Sequence, residues 1–233
     1  VATRPIQNWD AYVEKLTQFV YKTSLFMRPI FSQAKVAKQR IILAEGEENK
    51  ALHATQEVIS MGLANPILIG RRSMIEEKIK KLGLRLTAGV DFEIVDNEDN
   101  PRYEECWKHY YELTKRKGIT PAIAKRVVRS NTTVLASTLV SLGYADGLVC
   151  GLFGSYGKHL ASIKDIIGLK DGVKVAAALN SLVLPTGNVF LTDTHVNTNP
   201  TAEELAEITL MAAEEIHRFG IEPAIALLSH SNF

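Results

Sequence analysis

Asp193-Thr194-His195-Val196-Asn197 gathers a carboxylate, a hydroxyl, an imidazole and an amide within one short stretch. If the apolar run before it continued as a strand, Asp193 and His195 would fall on one side, because side chains alternate along a strand. A carboxylate beside an imidazole orients the ring or favours its charged form. Three uses are open: general acid–base chemistry, a ligand clamp, or a network that orders a loop. No HExxH and no Cys/His spacing accompanies the stretch, so it carries no metal signature.

Gly151-Leu152-Phe153-Gly154-Ser155-Tyr156-Gly157 offers different chemistry. It follows an apolar run and opens a helical pattern, a place where free backbone N–H groups favour an anion. Lys158 and His159 add donors. The spacing is G-x-x-G-x-x-G, neither the dinucleotide fingerprint nor a P-loop, and glycines for a tight strand-to-helix turn account for it as well. Glu45-Gly46-Glu47-Glu48 also ends an apolar run. The helix dipole alone explains acidic residues there, with Glu45 turned into a crevice as the other reading. Ser229 and Ser231 follow the last apolar run and join the candidate polar groups.

Those groups need strand ends and helix starts to hold them. Apolar strands at Arg40–Ala44, Pro66–Ile69, Asp91–Val95 and Ala145–Cys150 alternate with helical patterns at about 48–61, 73–82, 101–117, 121–129, 132–142 and after Ser155. Such alternation predicts βαβ units and a mostly parallel sheet. Val173–Leu184 and Asn188–Thr192 are strand-like, and Pro185-Thr186-Gly187 between them predicts an antiparallel hairpin, hence a mixed sheet. Pro200 with Glu203 and Glu204 starts a helix whose buried face is Leu205, Ile208, Ala212 and Ile216, and Arg218-Phe219-Gly220 ends it. Ala224–Leu228 is one more apolar run. Residues 8–31 form a separate amphipathic helix, capped by Asn8 and ended or kinked at Arg28-Pro29. It either packs on its own domain or connects to another domain or subunit.

Composition narrows the function classes. The chain of 233 residues is 46% hydrophobic and 23% charged, as in ordinary globular proteins. A net charge of +1 gives no electrostatic case for nucleic acid or an acidic membrane surface. No apolar stretch is long enough for a membrane span and no signal peptide is visible. Cys106 and Cys150 are read as reduced core thiols, which suits a cytoplasmic protein. A start at Val1 and a stop just after the Ala224–Leu228 run are read as a piece of a longer polypeptide.

Several blocks, in order, resemble the phosphate acetyltransferase/butyryltransferase family. They are Ile41 to Glu47, Gly143 to Gly151, Asn197 to Ile208 and Phe219 to Ser231. Closer still, Leu52 to Gln56, Ala88 to Ile94, Leu205 to Glu214 and Leu227 to Phe233 are similar to the acetyltransferase-like carboxyl-terminal domain of bacterial hybrid NADP-dependent malic enzymes. The resemblance implies a three-layer α/β/α fold of the isocitrate dehydrogenase-like superfamily, its second subdomain incomplete here. It implies a connector at residues 1–37 after a malic enzyme catalytic region, and a transferase-like domain at 38–233.

Where the family's acetyltransferases carry one arginine the chain aligns Thr114, it aligns Ala161-Ser162 with their Arg-Pro, and Thr194 aligns with a frequent cysteine. Guanidinium groups bind phosphoryl substrates bidentately, so these departures imply a domain that transfers no acetyl group. What remains implied is a regulatory and homo-oligomerising domain binding acetyl-CoA or a related acyl-CoA. Its contacts would come from Gly154, Ser155, Lys158, His159, Asp193, His195, Asn197, Ser229 and Ser231. No cofactor is expected in this domain, and NADP with Mg2+ or Mn2+ would belong to the parent. The alternatives are an active phosphate acetyltransferase and a purely structural dimerisation module.

Overall fold

The computed structural model describes residues 8–184 and 187–228, with 14–26 described by their backbone alone. The helices are α1 (Trp9–Val36), α2 (Asn49–Met61), α3 (Arg72–Leu82), α4 (Tyr103–Thr114), α5 (Pro121–Ser130), α6 (Thr132–Ser141), α7 (Tyr156–Ile166) and α8 (Ala202–Arg218). The strands are β1 (Gln39–Leu43), β2 (Ala64–Ile69), β3 (Glu93–Val95), β4 (Gly147–Val149), β5 (Asn180–Leu184) and β6 (Gly187–Leu191). They fall into two compact units, Ala34–Lys170 and the described parts of Val1–Gln33 with Asp171–Phe233.

In the unit Ala34–Lys170 the strands lie in the order β3-β2-β1-β4, all parallel. Ile42 stands level with Ile67 on one side and Leu148 on the other. Alternation then sorts the side chains. Ile42, Ala44, Ile67, Ile69 and Val95 pack with Cys106, Tyr110, Val128, Leu135 and Ile166 from α4 to α7. Leu68, with Leu43 and Ile94, packs with Leu52, Ile75 and Ile79 from α2 and α3. Both faces are therefore covered, which is why these strands read as unbroken apolar runs. The result is the expected three-layer α/β/α arrangement with a mostly parallel sheet. Full burial of each Leu or Ile contributes roughly 1.5–3 kcal/mol.

In the other unit β5 and β6 pair antiparallel, from Asn180 opposite Leu191 to Leu184 opposite Gly187. This hairpin forms its own two-stranded sheet, so the antiparallel member expected in a mixed sheet is paired separately. α8 begins with a capping box: Thr201 Oγ1 accepts from the Glu204 N–H and Glu204 Oε2 accepts from the Thr201 N–H. Ile208, Ala212 and Ile216 are its buried residues, as the spacing predicts, and Phe219 meets Phe190 edge to face at 5.3 Å.

β3 and β4 are shorter than the sequence reading, Glu93–Val95 and Gly147–Val149, and α4 stops at Thr114. Four further differences each have a physical reason. α1 runs through Pro29 to Val36, because losing one ladder bond leaves the rest of a long helix intact. β5 starts at Asn180 rather than Val173, because β6 stops at Leu191 and earlier residues have no strand to pair with. Residues 224–228 form no strand for the same want of a partner. α4 starts at Tyr103 rather than 101, because Asn100 Oδ1 accepts from the Arg102 N–H at 2.9 Å and holds a turn there. Among the described residues, no helix is long and apolar enough to cross a membrane.

Candidate functional site

β1 continues to β2 on one side and has β4 on the other, so strand order reverses between β1 and β4. Open α/β sheets place ligand crevices at such a point, beyond the carboxyl ends of the strands. Here the loops Ala44–Glu48 and Cys150–Ser155 leave those ends. The Gly46 N–H donates to Ile69 O at 2.9 Å. A Cβ on Gly46 would lie 2.7 Å from that oxygen and 2.8 Å from Leu68 Cβ, so only glycine permits the approach.

The two acidic neighbours of Gly46 then part. Glu47 accepts from the Arg71 backbone N–H, Nε and Nη2 at 2.9, 3.0 and 2.9 Å. The Arg71 side-chain bond holds the Glu47 carboxyl below the usual carboxylate range. Glu45 turns inward, 5% exposed, and its Oε1 accepts from the Gly151 N–H at 3.0 Å.

Glu45 lines a cavity of about 340 Å³ with Thr133, Gly154, Ser155, Lys158 and His159. Two helices begin there. Asn131 Oδ1 caps α6 by accepting from the Val134 N–H at 3.1 Å. Ser155 occupies the cap position of α7 with its hydroxyl uncommitted to capping. His159 is held at both ring nitrogens, Nδ1 to Thr133 Oγ1 at 2.8 Å and Nε2 to Phe153 O at 2.9 Å. A carbonyl only accepts, so the Nε2 hydrogen is fixed, and in the neutral ring Nδ1 accepts the Thr133 hydroxyl. Gly154 has φ +94°, and a Cβ there would meet His159 Nε2 at 2.8 Å. The Cys150 thiol is pushed up, first by burial and then by the Glu45 charge, against a smaller opposing hydrogen bond with Thr133.

The Asp193 stretch is arranged otherwise. Asp193 Oδ1 accepts from the backbone N–H groups of Ala178, Val196 and His195 at 2.9, 3.3 and 3.4 Å. Its Oδ2 accepts from Asn197 N and Nδ2 at 2.5 and 2.6 Å, and Asn197 Nδ2 also donates to Ala176 O at 2.8 Å. Burial works to raise this carboxyl, but the hydrogen bonds from Ala178, Asn197 and Val196 outweigh it and hold it below its ordinary value. The His195 ring bonds Thr194 Oγ1 through Nδ1 at 2.8 Å. Since β6 ends at Leu191, strand alternation does not extend to Asp193 and His195, and Asp193 meets the His195 main chain.

Gly154, Ser155, Lys158 and His159 are thus brought together in one cavity. Asp193, His195 and Asn197 share a loop in the other unit. Ser229 and Ser231 lie outside the described residues. Sequence reasoning missed Thr133, the partner of His159, and Asn131. The Asn131-Thr132-Thr133 helix start was their only signal, and it reads as capping alone.

Residues 25–233 match the family described as phosphate acetyl/butaryl transferase. The chain belongs to that family. The chain is 97% identical, along its whole length, to the NADP-dependent malic enzyme of Haemophilus influenzae, of which it spans 31%. It is 35% identical over 209 residues, 87% of its length, to the phosphate acetyltransferase of Clostridium acetobutylicum, covering 62% of that protein. Its fold matches a phosphotransacetylase from Streptococcus pyogenes with TM-score 0.78 and 26% identity, over 91% of this chain and 62% of the other.

At Thr114, Ser162 and Thr194, which lie where the chain departs from the resembled pattern, this member of the phosphate acetyl/butaryl transferase family has committed hydroxyls. Thr114 is 2% exposed and donates to Tyr110 O at 2.7 Å. Ser162 lines the cavity and donates to Lys158 O at 3.1 Å. Thr194 Oγ1 accepts from Asn180 Nδ2 at 3.0 Å as well as pairing with His195.

Proposed function

We propose that this chain is the regulatory and oligomerising domain of an enzyme that oxidatively decarboxylates malate to pyruvate, binding acetyl-CoA as an inhibitor without transferring its acetyl group. NADP and the Mg2+ or Mn2+ of that reaction belong to the remainder of the parent protein. Near-identity to a stretch of a named malic enzyme supports the parent activity.

The observation that carries the regulatory reading is the make-up of the cavity. Among the described residues its lining has one cationic side chain, Lys158, and no arginine, and the family resemblance places an arginine nearby at Ala161, which carries no charge. Acyl and phosphoryl transfer draw their rate from preorganised charge at the reacting oxygens, and fork-shaped guanidinium donors suit phosphate best. A cavity of this kind retains capacity to bind while lacking much of the capacity to stabilise a transition state. Gly154, Ser155, Lys158 and His159 then contact the effector, and Asp193 with Asn197 holds its own loop in shape. Regulation requires acetyl-CoA to bind two states of the whole enzyme unequally.

The test is acetyl-CoA formation from acetyl phosphate and CoA by the full-length enzyme, alongside malate-dependent NADP reduction with rising acetyl-CoA. The expected outcome is inhibition of the second reaction with no turnover in the first. Turnover comparable to a phosphate acetyltransferase would reject the reading.

A further inference from the structure

The switch-point cavity holds a negative group at its floor and a positive group at its edge. Glu45 is 5% exposed, and Lys158 is exposed. The Glu45 carboxylate uses Oε1 on the Gly151 N–H, and among the described residues Oε2 has no hydrogen-bond partner. A carboxylate oxygen left free at a cavity is an open acceptor, and a ligand donor placed there makes a charge-assisted hydrogen bond. Both nitrogens of His159 are occupied by Thr133 and Phe153, so the ring brings no spare donor to the floor. The Glu45 charge is felt across the floor, since it helps to push up the Cys150 thiol.

Size completes the argument. A sphere of 340 Å³ is about 9 Å across, so any group seated inside lies within roughly one Debye length of Glu45. A phosphate on the floor would meet a like charge at short range, within reach of its Coulomb field. An amide N–H or a hydroxyl would meet a charged acceptor, the stronger class of hydrogen bond.

We infer that Glu45 makes this cavity select the uncharged, donor-bearing end of its ligand and reject oxyanions from the floor, with the ligand's anionic end held outside by Lys158. For an acyl-CoA this places the amide- and hydroxyl-bearing pantetheine arm inward and the phosphates outward. The identity of the ligand rests on the function proposed above, whereas the exclusion of oxyanions by Glu45 does not.

The experiment uses the full-length enzyme and two probes, pantetheine and inorganic phosphate, titrated calorimetrically into the parent, Glu45→Gln and Glu45→Asp proteins. The parent is expected to bind pantetheine and to bind phosphate weakly. In Glu45→Gln, phosphate binding strengthens at least tenfold and pantetheine weakens about tenfold. In Glu45→Asp the charge remains but is withdrawn by one methylene, so pantetheine weakens while phosphate stays excluded. Thermal unfolding of each variant reports whether the loop still folds, and Glu45→Asp carries the test alone if Glu45→Gln does not fold. Unchanged phosphate affinity in Glu45→Gln, or no pantetheine binding by the parent, overturns the inference. If acetyl-CoA proves not to inhibit malate oxidation, the regulatory function fails while the phosphate response of Glu45→Gln still reads the floor charge directly.

Discussion

The Asp193 loop and the Glu45 cavity are both polar groups beyond a strand end, yet they are finished differently. Asp193 places each carboxylate oxygen on N–H donors of its own chain, from Ala178 to Asn197. Glu45 places one oxygen on Gly151 and turns the rest of the carboxylate to a cavity. A network closed on itself spends its hydrogen bonds on shape, and one left open keeps them for a ligand. Residue type alone does not separate the two; the partners of each oxygen do.

That contrast predicts the largest loss of stability at the closed site. Asp193→Ala leaves four N–H groups and an amide without their acceptor and is expected to cost about 2–4 kcal/mol in urea unfolding of the full-length protein. A change below about 0.5 kcal/mol would mean that the loop holds its shape without the carboxylate.

At the open site the expected loss is smaller and shows in binding. Gly154→Ala forces a side chain into positive φ and against His159, at a cost of about 1–3 kcal/mol. Acetyl-CoA affinity should fall with little change in overall fold by circular dichroism. Unaltered affinity would separate the glycine turn from the ligand site.

Acid titration sharpens the same contrast. Arg40 pairs with Asp146 through Nε and Nη2, and its hydrogen bonds lower the Asp146 carboxyl to about 2. Asp193 is also lowered. A carboxyl lowered by folding contributes stability that is full above its unfolded value, near 4, and lost as pH falls through the folded value. Asp146→Asn should therefore lower stability at pH 7 and flatten the decline between about pH 4 and 2, so that parent and variant converge in acid. An identical acid profile in parent and variant would show that this pair plays no part.

Much of the fold was legible because its signals are local. Short apolar runs alternating with capped helical patterns gave β1 to β4 and α2 to α7, and Thr201 with Glu204 marked the start of α8. Strand lengths were not legible, since the start of β5 depends on where β6 ends across the hairpin. The glycine turn with Lys158 and His159 was visible, but the contacts that give it meaning join distant residues. Thr133 and His159 are 26 residues apart, and Glu45 and Gly151 are 106 apart. The Asp193 stretch drew attention by composition, and only its backbone partners showed a loop lock.

The central claim is that acetyl-CoA acts through the cavity between β1 and β4. Its most direct test is malate-dependent NADP reduction by the full-length enzyme as acetyl-CoA is raised, comparing the parent with Lys158→Glu. The account predicts inhibition of the parent and, for the variant, a curve displaced at least tenfold to higher acetyl-CoA with the uninhibited rate preserved. Superimposable inhibition curves would contradict it.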